Sequence, residues 1–316
     1  MENLDESARR VLALSSGSKG RPFETGTPQQ ARIDYDANCP TLQGGKEAVA
    51  SVEDRQIAGP NGPITLRIYR GIGAPLRHGP GLIYFHGGGW VIGNLESHDE
   101  ICRWFANIAK CTVVCPDYRL APEHKFPAGV IDCAATLAFV VKSATDLGID
   151  PSKIAVAGDS AGGNLAAVLA LMSRNGDAPP LAAQLLIYPN TDAAQTADSY
   201  RRYAEGFGLT ASTMRWFRDH YIRTAADIAD WRTSPLQAES VAGVAPAFVA
   251  TAGYDILADE GVAYARRLRE EGVCMVHRHW PGQIHGFVSM GRYVAEARRA
   301  VEEAVAAWRG FEDALI

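Results

Sequence analysis

The chain has 316 residues, of which 47% are hydrophobic and 21% charged. That apolar content can offset the chain entropy of folding and excludes intrinsic disorder. Lys and Arg number 31 against 36 Asp and Glu, a formal net charge of −5, which argues against a nucleic-acid partner because phosphate binding needs a basic face.

The chain opens with MENLDESARR, acidic and polar, whereas a secretory signal starts basic and then runs apolar. Residues 2–14 read as a short helix. Residues 15–45 are rich in Ser, Gly, Pro and Thr and read as loop. Residues 49–57 and 64–69 alternate as two strands around the turn Gly59-Pro60-Asn61-Gly62, a hairpin. Next come a strand at 81–85, a helix at 98–110 and a strand at 112–115. A helix at 127–144 carries Pro127 in its first turn, where a missing N–H costs least. A strand at 153–157, a helix at 161–174 and a strand at 183–188 follow. Residues 190–234 break the rhythm, with Asp, Thr, Arg and aromatics but no clean strand. They are expected as an insertion over the carboxyl edge of the sheet. A strand at 247–251, a helix at 259–271, a strand at 274–279 and a helix at 294–308 close the chain.

Strands alternating with helices at this spacing predict an α/β fold: a mostly parallel sheet, helices on both faces, and an antiparallel N-terminal hairpin at one edge. Near-continuous apolar strands such as KIAVA at 153–157 fit burial on both faces. No run reaches the ~18 apolar residues of a membrane span, so a cytoplasmic protein with no membrane partner is expected. The six cysteines form no CxxC pair and no zinc spacing with histidine. Cys111 and Cys115, four apart on a strand, share a face and read as core.

Gly158-Asp159-Ser160-Ala161-Gly162 is a G-x-S-x-G match directly after a strand and opening a helix. A sharp turn there would lift a serine hydroxyl above the sheet edge, with glycines relieving the crowding. The following helix points its N-terminus at the serine and favours developing negative charge. His86-Gly87-Gly88-Gly89-Trp90 follows strand 81–85. Three consecutive glycines make sense where backbone N–H groups must face a ligand, as in an oxyanion hole. A serine nucleophile needs a base, itself oriented by a carboxylate. Asp255 and His285 each follow a strand on loops at the carboxyl edge, in the order Ser, Asp, His. His277 and His279 alternate within their strand and read as structural, and Asp259 and Glu260 read as helix-dipole partners. The charged residues of the loop from Asp117 to Glu123 are expected to pair and hold it beneath the glycine turn, and Asp159 to shape the turn by hydrogen bonding.

These residues resemble the hormone-sensitive lipase-like esterases, the bacterial family IV carboxylesterases of the α/β-hydrolase fold. The resemblance runs from about residue 80 to the end. It rests on HGGGW (86–90), DYRLAPEHKFPA (117–128), GDSAGGNLA (158–166), the YP-x-TD stretch at 188–192, YDILADEG (254–261) and HGF (285–287). It implies Ser160 as nucleophile, Asp255 as orienting acid, His285 as base, and the N–H groups of Gly88, Gly89 and Ala161 as oxyanion hole. Which two of Gly87, Gly88 and Gly89 contribute stays open at this point. The family pattern D-P-L-R-D-E-G is altered here by Ile256 and Ala258, which leaves the acid in place. The implied activity is hydrolysis of short- to medium-chain acyl esters through an acyl-enzyme, with no cofactor and no metal. The implied organisation is a catalytic domain at 46–316, a helical cap built from 1–45 and the insertion at 190–234, and a homodimer through strand 274–279. Phe207, Leu209, Met214, Trp216 and Phe217 either wall the pocket or, as expected for most of them, pack the cap's own core. Alternatives are an amidase or peptidase with the same triad, a non-catalytic small-molecule receptor, and a scaffold for which the glycine loop would have no purpose.

Overall fold

The computed structural model describes residues 3–17 and 21–314, with side chains at 15–17 and 313–314 excepted. The first two residues of the expected N-terminal cap and part of its expected loop, 18–20, lie outside the described residues. The described strands are β1 (Ser51–Gly59), β2 (Gly62–Arg70), β3 (Gly79–Phe85), β4 (Thr112–Asp117), β5 (Ile149–Asp159), β6 (Ala183–Ile187), β7 (Ala247–Tyr254) and β8 (Met275–Ile284). They form one sheet in the order β1-β2-β4-β3-β5-β6-β7-β8. The hairpin β1–β2 is antiparallel, β2 joins β4 antiparallel, and every later pairing is parallel. The expected fold is therefore the observed one.

The helices are α1 (Glu6–Gly17), α2 (Pro28–Leu42), α3 (Asp99–Ala109), α4 (Ala128–Lys142), α5 (Ala161–Asn175), α6 (Ser199–Arg202), α7 (Ala211–Tyr221), α8 (Ala258–Glu270) and α9 (Glu296–Ala314). Strand side chains alternate between two cores because successive residues face opposite ways. Ile83, Val156 and Val249 pack with Leu137 of α4, Leu165 of α5 and Leu268 of α8. Leu82, Ala155 and Phe248 pack with Val11 of α1, Phe105 of α3 and Trp308 of α9. Cys111 and Cys115 fall in the second core, as their spacing predicts. Every residue of α5 from Ala161 to Leu171 is buried, and burying one leucine there contributes about 1.5–3 kcal/mol. Among the described residues no helix is long and apolar enough to cross a membrane.

Residues 28–42, expected as loop, form a four-turn helix. Thr27 caps it by accepting from the Gln30 N–H at 3.2 Å, and Pro28 sits in the first turn. The flanking Gly and Pro residues masked this helix in the sequence. It is held from outside: Arg32 donates to the Val91 and Ala121 carbonyls at 2.8 Å and pairs with Glu123 at 2.7 Å. Residues 190–234 contain α6, α7 and a 3-10 turn at Ala225–Ala229, and no strand.

Behind α2 the chain is tied to α3 by Glu100, which accepts from the Gly44 N–H at 2.7 Å and is only 2% exposed. Burial pushes its carboxyl up from 4.5 to about 7. The unfolded chain releases this proton near 4.5 and the folded protein only near 7. The contribution to stability is therefore intact below pH 4.5, declines as pH rises to 7, and then stays low. Glu100→Gln removes the charge, so at pH 8 this variant should unfold later in urea than the parent by on the order of 2–3 kcal/mol. At pH 4 the gain should vanish. An equal difference at both pH values would sink the prediction.

Candidate active site

The sheet register brings distant segments together. Phe85 pairs with Gly158 and Asp159 with Ile187, so the glycine turn and the residue after β5 leave the same edge side by side. Between Trp280, paired with Ala252, and Ile284, paired with Tyr254, β8 carries two extra residues. That shift extends β8 beyond its expected end at residue 279 and sets His285 beside Asp255.

Ser160 occupies the sharp turn between β5 and α5 with φ 56° and ψ −116°, a region that non-glycine residues rarely adopt. Its N–H donates to the Ile187 carbonyl at 2.9 Å, and its own carbonyl accepts from Asn164 and Asn190. The turn is tight enough that a Cβ on Gly162 would lie 1.9 Å from the Phe85 carbonyl oxygen. Ser160 Oγ is 2.9 Å from His285 Nε2, and His285 Nδ1 is 2.8 Å from Asp255 Oδ2. Asp255 is 1% exposed, and its other oxygen accepts from the Leu257 N–H at 2.8 Å. A carboxylate only accepts, so the Nδ1 proton points at Asp255 and leaves the Nε2 lone pair for the serine hydroxyl.

One of the three amides of the glycine turn already has a partner. The Gly87 N–H is engaged by Asp159 Oδ1 at 3.0 Å and lies 3.2 Å from His98 Nε2. Gly88 and Gly89 instead line the cavity above Ser160 together with Ala161. Gly88 has φ +121°, and a Cβ there would meet the Ile92 carbonyl oxygen at 2.1 Å, so only glycine fits.

A family model described as alpha/beta hydrolase fold matches residues 82–289. The chain is 39% identical over 287 residues to the carboxylic ester hydrolase LipN of Mycobacterium tuberculosis, covering 88% of this chain and 75% of that protein. It is 37% identical over 292 residues to ethyl acetate hydrolase of Pseudomonas putida, covering 91% of both. Among solved structures it is similar, with TM-score 0.93 and 41% identity, to an ester hydrolase from the Lake Arreo metagenome complexed with a bipyridine phosphonate derivative. That match covers 98% of this chain and 99% of the other. The chain belongs to the hormone-sensitive lipase-like carboxylesterases of the α/β-hydrolase fold.

The carboxylesterase cavity measures about 170 Å³ and is walled mainly by apolar side chains. Tyr35, Cys39 and Leu42 of α2 form one wall, and Leu209, Met214 and Phe217 another. Burial pushes the Cys39 thiol up to about 12, so it stands in the wall as a neutral group. Most of the five insertion residues are expected to pack a core of the cap's own. Met214 and Phe217 are indeed buried, with Leu209 and Trp216 packed against them, but that core is shared with the sheet, and Leu209, Met214 and Phe217 also line the cavity. Phe207 packs on Tyr203 and Tyr254, and Trp216 on Phe217 and His220. Trp90 does both jobs, lining the cavity while stacked 4.2 Å from Tyr221.

Asp159 does shape the turn, through Gly87 and the Tyr84 hydroxyl at 2.8 Å. Arg119 and Glu123 pair outside their own loop, with Asp132 at 2.8 Å and Arg32 at 2.7 Å. His277 and His279 both meet the Thr251 hydroxyl at 2.9 Å. Glu260 sits in the first turn of α8 as expected, but it is 2% exposed and has a further role. Its Oε1 accepts from the N–H groups of Thr191 and Asp192 and from the Asn190 side chain, tying down the loop whose Asn190 N–H reaches the Ser160 carbonyl. No local signal announces this, because its partners lie about seventy residues earlier. Burial holds its carboxyl well above the usual range.

Proposed function

We propose that the protein is a serine carboxylesterase for short- to medium-chain acyl esters, with Ser160 as nucleophile, His285 as base and Asp255 as the carboxylate that orients it. The observation that carries this reading is the unbroken hydrogen-bonded line from Asp255 through His285 to Ser160 at the floor of an apolar cavity. His285 takes the serine proton as Oγ attacks the ester carbonyl. The N–H groups of Gly88, Gly89 and Ala161 stabilise the oxyanion, where each donor contributes on the order of 3 kcal/mol. The imidazolium then protonates the departing alcohol. Water, deprotonated by the same imidazole, attacks the acyl-enzyme and releases the acid.

Residues 1–45 and 190–234 act as the cap over the domain at 46–316. Support comes from α2 and α7 both walling the cavity, and from Glu24, which accepts from the hydroxyls of Ser212 and Thr213 at 2.6 and 2.8 Å. The position of β8 as an outer strand of the sheet is compatible with a homodimer.

The chain-length claim is tested with p-nitrophenyl esters from acetate to palmitate. A maximum kcat/KM at short or medium chains is expected, and one at palmitate would refute it. Phe217 bounds the wall, with its ring where a Cβ on Gly89 would sit. Phe217→Ala should raise the octanoate-to-butyrate ratio of kcat/KM about tenfold, the scale of one or two methylenes in an apolar pocket. An unchanged ratio would place the acyl chain elsewhere.

A further inference from the structure

We propose that His98 and Asp159 form a buried imidazolium–carboxylate pair that positions the glycine turn for the ester reaction, an inference that rests on the catalytic reading above. His98 is 1% exposed and Asp159 4% exposed. Neither touches the cavity chemistry as nucleophile or base.

The proton inventory assigns the charge. The Asn94 N–H donates to Ser97 Oγ at 2.9 Å, and Ser97 Oγ donates to the Asn94 carbonyl at 2.8 Å. The single hydroxyl proton is thereby used. The 2.8 Å contact between Ser97 Oγ and His98 Nδ1 therefore carries its proton on the nitrogen. His98 Nε2 faces Asp159 Oδ1 at 3.1 Å, and a carboxylate oxygen can only accept, so Nε2 is protonated as well. Two ring protons make an imidazolium. The Gly87 N–H, 3.2 Å from the same nitrogen, then has Asp159 Oδ1 at 3.0 Å as its acceptor.

The nearest other carboxylates have partners of their own, Asp99 with Arg103 at 2.7 Å and Asp255 with His285 at 2.8 Å. Tyr84 on β3, Cys102 on α3, Tyr188 after β6, and Tyr35 and Cys39 on α2 are all held neutral by burial, which raises them. Burial lowers His86 in the turn to about 3. Burial also raises Asp159, but the charge and hydrogen bond of His98 and the Tyr84 hydroxyl overcome this and hold the carboxyl below its ordinary range.

Two consequences follow for the reaction. Asp159 Oδ1 occupies the Gly87 N–H and so directs the turn to present Gly88 and Gly89. His98 also cancels a negative charge on the residue directly before Ser160, where an unpaired carboxylate would oppose the forming oxyanion.

The wild-type protein tests the charge directly. Nitrogen-15 NMR of its histidines at pH 7.5, with His98 assigned by its shift in Ser97→Ala, should show one buried imidazole with both nitrogens protonated. A neutral ring at His98 overturns the proposal. Kinetics test the role. His98→Gln keeps a donor toward Asp159 without the charge, and its kcat should fall about 10- to 100-fold, with KM within about threefold. Adding Asp159→Asn to that variant removes the unpaired charge and should raise kcat again. A merely structural pair would make the two losses multiply, and that result, or an unchanged kcat in His98→Gln, refutes the positioning role. Failure of a phosphonate to label wild-type Ser160 would overturn the catalytic reading instead, while leaving the NMR result on the pair untouched.

Discussion

Ser160→Ala should lower kcat by on the order of 10⁴–10⁶ while leaving the fold intact. The hydroxyl lies 2.9 Å from His285 Nε2, where the imidazole can take its proton as it attacks an ester carbonyl. Removing it deletes one hydrogen bond, to His285, and opens no sizeable void. Alanine must hold the same φ of 56° and meets the same strain as serine. Thermal unfolding by circular dichroism should therefore shift by no more than a few degrees. A fluorophosphonate should label the parent one-to-one and the variant not at all. Wild-type-like turnover of p-nitrophenyl butyrate by the variant would refute the nucleophile assignment.

Asp255→Asn should cost kcat about 10⁴-fold, with KM changed far less. The geometry leaves the amide no good orientation. If its oxygen keeps the Leu257 N–H, its NH₂ faces His285 Nδ1. That forces the ring proton onto Nε2, which then cannot accept from Ser160. If the amide flips, its NH₂ confronts the Leu257 N–H in a site 1% exposed, and a buried donor goes unpaired at about 1–3 kcal/mol. The kcat loss and a modest fall in melting temperature should be read together. A loss below tenfold would mean that the carboxylate does not govern the tautomer.

Much of the site was legible because its signals are local. The elbow at Ser160 needs only a strand, two glycines and a helix in sequence, and the glycine turn needs only Gly87 to Gly89 after β3. Asp255 and His285 were readable because each lies on a loop shortly after an expected strand, in the order alcohol, acid, imidazole. The residues that escaped are those whose roles are made by partners far along the chain. Glu260 looks like a helix-start acid until it is buried against residues 190–192. His98 looks like a helix-entry residue until β3 and β5 bring Asp159 to it. Tyr35 and Cys39 lie in a segment whose composition reads as loop, and α2 is held by Arg32 reaching Val91, Ala121 and Glu123.

The amino-acid order by itself determined the alternation of strands and helices, the strained serine turn, and the chain order of alcohol, acid and imidazole. These follow from period-two and helical patterning and from glycine placement, which act over a few residues. Only the tertiary structure decided that β8 gains two residues to bring His285 level with Asp255. It alone decided that the Gly87 N–H is taken by Asp159 while Gly88 and Gly89 line the cavity, and that α2 and α7 wall it. Each of those outcomes depends on packing between segments tens to hundreds of residues apart. Hydrogen-bond partners and burial at such range exist only once the whole sheet has formed.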